Sequence, residues 1–183
     1  NGNNYSDEWE KEAQKRGLSN LRTTVDALPK FIEEKSIRLF TKHKIFTEKE
    51  IRSRYEVLLE NYSKIISIEA LTMLDMAKKD ILPAVTEYSG MLAQTILSKT
   101  SLGKKISYEA DISQLEKISE LSASLYKSTE ELETSIAEGK KHISDALDSA
   151  RYNKDIVLKA MDKVRTAADE LEMIVGEKYW PFP

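Results

Sequence analysis

The stretch from Thr47 to Ser98 constrains the fold most, because it holds only one glycine, Gly90, and one proline, Pro83. It opens with a helix-start pattern in which Thr47 is followed three residues later by Glu50. Residues 55–77 are apolar on more than one helical face, so other helices must cover them. We therefore predict one long helix of roughly 75 Å, around which the rest of the chain packs. We call this stretch the spine.

Two residues make this prediction specific. Pro83 lies inside the helical pattern, where a proline removes one backbone hydrogen bond and costs about 3 kcal/mol, so we predict a kink near Lys79. Leu71 belongs to the apolar series of the spine and is predicted to be buried. If so, Leu71→Ala should cost roughly 2–5 kcal/mol.

Two further long helices follow the spine. A loop around Gly103, Lys104 and Lys105 leads to a helix predicted from about Tyr108 to Ser149, with a heptad-like apolar pattern. A third helix is predicted from about Asn153 to Val175, ending at Gly176. The fold class is therefore all-α, an elongated antiparallel bundle of three long helices. Residues 1–46 are predicted to form short helices that pack on the bundle, and residues 47–183 the bundle itself.

Composition excludes several classes of protein. A net charge of −3 with both signs mixed along the helices argues against a general nucleic-acid binder. The absence of cysteine excludes disulfides and thiolate metal sites. No apolar run approaches the ~20 residues that a membrane helix needs. The first residue is Asn rather than Met, so we interpret the chain as a piece of a longer protein. The lack of cysteine is compatible with a cytoplasmic location.

No residue pattern predicts chemistry. His43 and His142 have no ligand-like neighbours, and Gly103-Lys104 lacks the flanking residues of a phosphate-binding loop. Glu56 and Glu60 are interpreted as surface carboxylates that pair with basic residues (Arg52, Arg54 or Lys64) on the same helix. No nucleophile stands beside a base. We therefore predict no catalytic, cofactor-binding or metal-binding residue in this chain.

Aromatic residues near both ends are the candidate interface. They are Trp9, Tyr179, Trp180 and Phe182. An aromatic C-terminal segment is costly to leave in water, so it should dock on a surface. Two readings remain open: packing on this same bundle, or packing on another part of a parent chain or a neighbouring subunit.

Three stretches carry a resemblance to a known family. They are NGNNYSDEW with RGLSNLRTTVDALP (within residues 1–29), RSRYEVLLENYSKIISIEALTMLDMAKKDILPAV (52–85) and AADELEMIVGEKYWPFP (167–183). In this order they resemble the C-terminal region of bacterial type III glutamine synthetases. The resemblance covers both ends and the centre of the chain. Residues 98–152 resemble the family only in their general residue types and not position by position.

The resemblance implies an activity for a parent protein and not for this chain. The family makes glutamine from glutamate and ammonia with ATP and Mg²⁺ or Mn²⁺, in homo-oligomers of two stacked hexameric rings. Its metal, nucleotide and glutamate sites lie in upstream β-grasp and catalytic regions, whose motifs are absent here. The expected role is structural support of assembly. The alternatives are a regulatory module that binds a small molecule or an adaptor protein near Pro83, and a free-standing metallo-oxidase on a ferritin-like bundle.

Overall fold

The protein is described by a computed structural model that covers residues 6–103, 106–139 and 145–183. The helices are α1 (Asp7–Lys15), α2 (Thr24–Ala27), α3 (Glu34–Lys42), α4 (Glu48–Met76), α5 (Leu82–Ser101), α6 (Glu109–Gly139), α7 (Ala146–Tyr152) and α8 (Leu158–Glu172). A 3₁₀ turn spans Leu28–Ile32, and two π-helical turns span Ala77–Ile81 and Asn153–Val157. These ranges contain no β-strand. The prediction of an all-α helical bundle is confirmed.

The chain groups into two compact units, Asn1–Tyr62 and Ser63–Pro183, so the unit boundary falls inside α4. In the first unit Val25 is buried, and three phenylalanines pack in series. The ring centroids of Phe31 and Phe40 lie 5.5 Å apart, and those of Phe40 and Phe46 lie 5.7 Å apart. The predicted division at residue 46 stays a prediction.

The predicted helix start at Thr47 is confirmed. The Thr47 amide donates to the Glu50 carboxylate at 2.7 Å, and the Glu50 amide donates to the Thr47 hydroxyl at 3.3 Å. This reciprocal pair satisfies two backbone donors that the first turn leaves without partners. The hydrogen bond from the Thr47 amide is also the main cause of a lowered pKa of Glu50.

Farther along α4, the prediction that Leu71 is buried was wrong, because Leu71 is 50% exposed. In the second unit α4 buries the face that carries Ile66, Ala70 and Leu74. Leu71 lies outside this face and borders a small cavity of about 70 Å³ with Ile136 and Tyr152. An apolar series on several faces does not reveal which face its neighbours cover.

The helix changes its hydrogen-bonding pattern where the kink was predicted. Ala77–Ile81 form a π-helical turn, and α5 then begins at Leu82, with Pro83 in its first turn. Proline has no amide hydrogen, and its ring crowds the carbonyl four residues earlier, so a regular α-helix is disfavoured here. The kink itself stays a prediction.

Helix α6 is the centre of packing in the second unit, where its neighbours are α5 and α8. It contributes Ile118, Leu125 and Leu132 to the core, each fully buried. Lys99 on α5 reaches Asp111 on α6 at 2.6 Å, and Lys163 on α8 reaches Glu131 on α6 at 2.8 Å. The second pair holds the pKa of the Glu131 carboxyl below its ordinary value. Apolar burial is the main stabilising contribution to this packing. The exposed pair of Lys163 and Glu131 contributes little.

The second long helix does not run unbroken to Ser149 as predicted. Within the described residues α6 spans Glu109–Gly139, and α7 begins at Ala146 after Asp145, whose backbone is extended (φ −149°, ψ 175°). A side chain at Gly139 would place its Cβ 2.8 Å from the Tyr152 ring, so the glycine admits this ring. Asp145 then starts the next helix, because its carboxylate accepts from the Asp148 amide at 2.8 Å. The third helix therefore begins before the predicted Asn153.

Candidate functional site

The described residues offer no metal site. In residues 6–103, 106–139 and 145–183, no three His, Cys, Asp or Glu side chains lie close enough together to hold a metal ion. His43 is exposed just after α3, whereas His142, Lys104 and Lys105 lie outside the described residues. Arg52 pairs with Glu48 at 2.7 Å rather than with Glu56, and Arg54 lies over the Phe46 ring.

Within the same ranges no helix has both the length and the hydropathy required to cross a membrane.

An apolar groove of about 600 Å³ lies in the second unit. One wall is α4 with the π-helical turn that follows it, and the other wall is α8. The groove is lined by Ile68, Glu69, Thr72, Met73, Met76, Ala77, Ile81, Met161, Val164, Arg165, Ala168, Asp169, Glu172, Trp180 and Phe182. Ile68 is 55% exposed and Met76 is 38% exposed, so apolar side chains of this wall face solvent. We call this feature the groove.

The C-terminal segment is attached to the bundle beside the groove. The Tyr179 ring packs on the Tyr88 ring at 5.1 Å between centroids, and the Tyr179 amide donates to the Gly176 carbonyl at 2.7 Å. A Cβ at Gly176 would lie 3.4 Å from Tyr88, so the backbone here runs close to this ring. Gln114 completes the attachment, because its amide donates to the Ile174 carbonyl at 2.9 Å and to the Tyr88 hydroxyl at 3.0 Å.

The four predicted interface residues lie in different places. Trp180 and Phe182 are half-buried and line the groove together, while Tyr179 stands against Tyr88. Trp9 belongs to the first unit, where the Arg16 guanidinium lies 5.8 Å from its ring. Their role as an interface remains a prediction.

The rim of the groove is acidic. Glu69, Asp169 and Glu172 contribute three carboxylates. Arg165 is the one cation among the described lining residues, and its guanidinium already binds Asp169 at 3.3 Å. An apolar floor with an acidic edge is suited to an occupant that has an apolar face and positive flanks.

Methionine is the signal that the sequence interpretation missed. Met73 and Met76 belong to the apolar spine, in which methionine is commonly a core-filling residue. In the structure both line the groove, together with Met161 from α8. Long unbranched thioether side chains adapt to different partners, so clustered methionines are typical of binding surfaces as well as of cores.

Comparison with known proteins identifies the family. Residues 1–100 match the family described as glutamine synthetase C-terminal domain. The chain belongs to the glutamine synthetase C-terminal domain family. This confirms the family resemblance found in the sequence.

Named relatives extend the match beyond residue 100. Over the whole chain it is 44% identical to a glutamine synthetase from Butyrivibrio fibrisolvens, of which it spans 26%. It is 33% identical to a type-3 glutamine synthetase from Dictyostelium discoideum and 28% identical to a glutamine synthetase from Bacteroides fragilis (strain YCH46), spanning 25% of each. The chain therefore spans about a quarter of the length of these relatives. The α8 wall of the groove and the aromatic segment lie in the part that only the relatives cover.

Proposed function

We propose that this chain is the C-terminal helical domain of a type III glutamine synthetase, in which it supports assembly of the enzyme. The groove is the observation that carries the assembly role, because an apolar surface of this kind is costly to leave in water. Trp180 and Phe182 add two large aromatic side chains of the type that dominates binding energy in interfaces. Residues 47–183 form the bundle in this proposal, and residues 1–46 an appendage of short helices.

The chemistry belongs to the rest of the parent protein in this proposal. The parent joins ammonia to glutamate in the cytoplasm, with ATP and Mg²⁺ or Mn²⁺, in stacked hexameric rings. As the resemblance implies, the β-grasp and catalytic regions of the same polypeptide supply the metal and nucleotide sites in this proposal, and neighbouring subunits are the partners.

The assembly role is tested in the full-length protein with the double variant Trp180→Ala/Phe182→Ala. We expect a smaller assembly in mass measurements and a lower rate of glutamine formation, because the variant removes the aromatic wall of the groove. Trp9→Ala tests the first unit in the same way. The control is Tyr126→Ala, which removes an exposed aromatic side chain outside the groove. An unchanged oligomer with unchanged activity in the double variant would contradict the assembly role.

A regulatory module is the second candidate, and one observation favours it. Ala77 and Ile81 of the π-helical turn line the groove, so an occupant of the groove contacts the helix interruption ahead of Pro83. Calorimetry with nucleotides, glutamine and 2-oxoglutarate separates the two roles. Saturable binding of one of these molecules favours regulation, whereas no heat with any of them favours assembly.

A further inference from the structure

We propose that the groove receives an amphipathic helix with basic flanks, contributed by the part of the synthetase polypeptide that lies outside these 183 residues. This inference rests on the proposed function, because it takes the chain to be one domain of a longer enzyme. It deepens that function by naming the kind of segment that the groove holds.

The shape of the groove indicates a helix. Its two long walls are helical, α4 with its π-helical turn on one side and α8 on the other. A third helix laid between two others buries side chains spaced three, four and seven residues apart along one face. Ile68 and Met76 are eight residues apart on the same wall, about two helical turns, and both remain exposed. The apolar surface therefore extends along the wall as a helical partner requires.

The charges indicate which helix fits. A helix seated on the apolar floor brings its two flanks against Glu69 on α4 and against Asp169 and Glu172 on α8. Since Arg165 already binds Asp169, it does not neutralise the other two carboxylates. Lysine or arginine on both flanks would meet opposite charge, whereas acidic flanks would meet like charge on both sides.

The size of the parent protein indicates which polypeptide contributes the helix that binds in the groove. The chain spans 26% and 25% of two of its relatives, so about three quarters of a protein of that kind lies outside it. A segment of the same polypeptide is held near the groove at high effective concentration, so modest contacts are enough to keep it docked. A free protein has to offset the entropy of association with many more contacts.

Photo-crosslinking in the full-length protein tests the proposal. The probe is the substitution Met76→p-benzoylphenylalanine, because Met76 lines the groove and is exposed. After irradiation, mass spectrometry should find adducts to one segment outside these 183 residues, with lysine or arginine flanking apolar residues at helical spacing. The same probe at Tyr126, which is exposed but outside the groove, should not capture that segment.

Charge reversal at the rim tests the electrostatic part. Glu69→Lys/Glu172→Lys should lower the adduct yield roughly fivefold, since two favourable surface contacts become repulsive. Glu116→Lys/Glu120→Lys is the matched control, because it makes the same change in net charge on the exposed face of α6, away from the groove. Equal yields from the rim variant and the control would overturn the proposal of basic flanks.

Other outcomes also overturn the inference. They are adducts confined to these 183 residues, adducts to the same positions in a second copy, capture by the Tyr126 probe, and a bound small molecule in place of a peptide. If the protein still makes glutamine in these cases, the proposed function stands and only the inference fails. If the unsubstituted full-length protein makes no glutamine, the proposed function is contradicted, whatever segment the probe captures.

Discussion

At the residue scale, Gly139 shows how the absence of a side chain allows close packing. A Cβ at this position would lie 2.8 Å from the Tyr152 ring, whose hydroxyl donates to the Ser135 carbonyl at 2.9 Å. Burial of this phenol raises the pKa of Tyr152, because the charged phenolate loses its hydration. Gly139 and Tyr152 thus form one packed contact at the end of α6.

Gly139→Ala is expected to destabilise the fold by about 1–3 kcal/mol, because the new methyl group overlaps a ring that a hydrogen bond holds in place. Gly90→Ala is the matched control. It lies inside α5 with no atom within 4 Å of the added Cβ, so we expect a gain of about 0.5–1 kcal/mol. Urea unfolding measures the free energy of unfolding of both variants. If Gly139→Ala is as stable as the wild type or more stable, the packing of Gly139 against Tyr152 is contradicted.

Two leucines separate buried from exposed positions. Leu125 in α6 is fully buried, so Leu125→Ala should cost about 2–5 kcal/mol through lost burial and the cavity that remains. Leu71 is 50% exposed, so Leu71→Ala should cost about 0.5 kcal/mol, the usual size of a surface change. Unfolding of the two variants under the same conditions checks the ratio, and similar costs would mean that α4 is covered on both sides.

At the scale of the element, both the start and the interruption of the spine have identifiable causes. The start at Thr47 and Glu50 follows from local hydrogen bonds alone. The interruption at Ala77–Ile81 precedes Pro83, and it also contributes Ala77 and Ile81 to the groove. Such π-helical turns are frequent at functional sites, which agrees with the role proposed for the groove. Lys78 in this turn pairs with Glu133 and Glu130 on α6, and the hydrogen bond that Lys78 donates to Glu133 raises the pKa of Lys78.

The capping pair predicts a pH dependence. Hydrogen bonds from Thr47 lower the pKa of Glu50 in the folded state, so this carboxylate stabilises the fold above its ordinary pKa of 4.5. The contribution is lost as the pH falls through the lowered folded pKa, where the carboxylate becomes protonated. The difference in unfolding free energy between the wild type and Glu50→Gln should therefore shrink between pH 7 and about pH 3.

Two further variants complete this test. Thr47→Ala should cost about 1 kcal/mol at neutral pH, because it removes the hydroxyl that accepts from the Glu50 amide. Glu120→Gln on the exposed face of α6 is the control, because it removes a surface carboxylate that lies outside any helix cap. A difference for Glu50→Gln that grows on acidification would contradict the lowered pKa.

At the scale of the whole molecule, the second unit is a bundle with one incompletely covered face. Its core is closed around α6, whereas Ile68 and Met76 on α4 remain exposed in the groove. A monomeric protein seldom leaves a contiguous apolar surface of this kind in water. The open face is therefore where we expect the rest of the enzyme to bind.

Hydrogen exchange compares the chain with the full-length protein. Amides in α8 and in residues 176–183 should exchange more slowly in the full-length protein than in the 183-residue chain, because docking in the groove limits local opening. Amides near Leu125 lie in the closed core and should exchange equally slowly in both. Equal exchange of the groove segments in the two proteins would indicate that nothing covers the groove.

The sequence by itself determined the features that depend on neighbours along the chain. The helical class, the start of α4 at Thr47 and the family resemblance all follow from short-range patterns, because propensity and capping act within a few residues. The structure has a π-helical turn ahead of Pro83, where the kink remains a prediction, and α8 ends at Glu172, a few residues before the predicted end at Gly176.

Only the tertiary structure decided which side of each helix is covered. The apolar series of the spine did not distinguish the buried Leu74 from the exposed Leu71, because a helix that is apolar on several faces satisfies its periodicity either way. The sequence also did not predict the close contact between Gly139 and Tyr152, which are thirteen residues apart, or the groove that α4, α8 and Phe182 form. Such contacts depend on packing between segments that are distant in the sequence, so the local periodicity of apolar residues does not predict them.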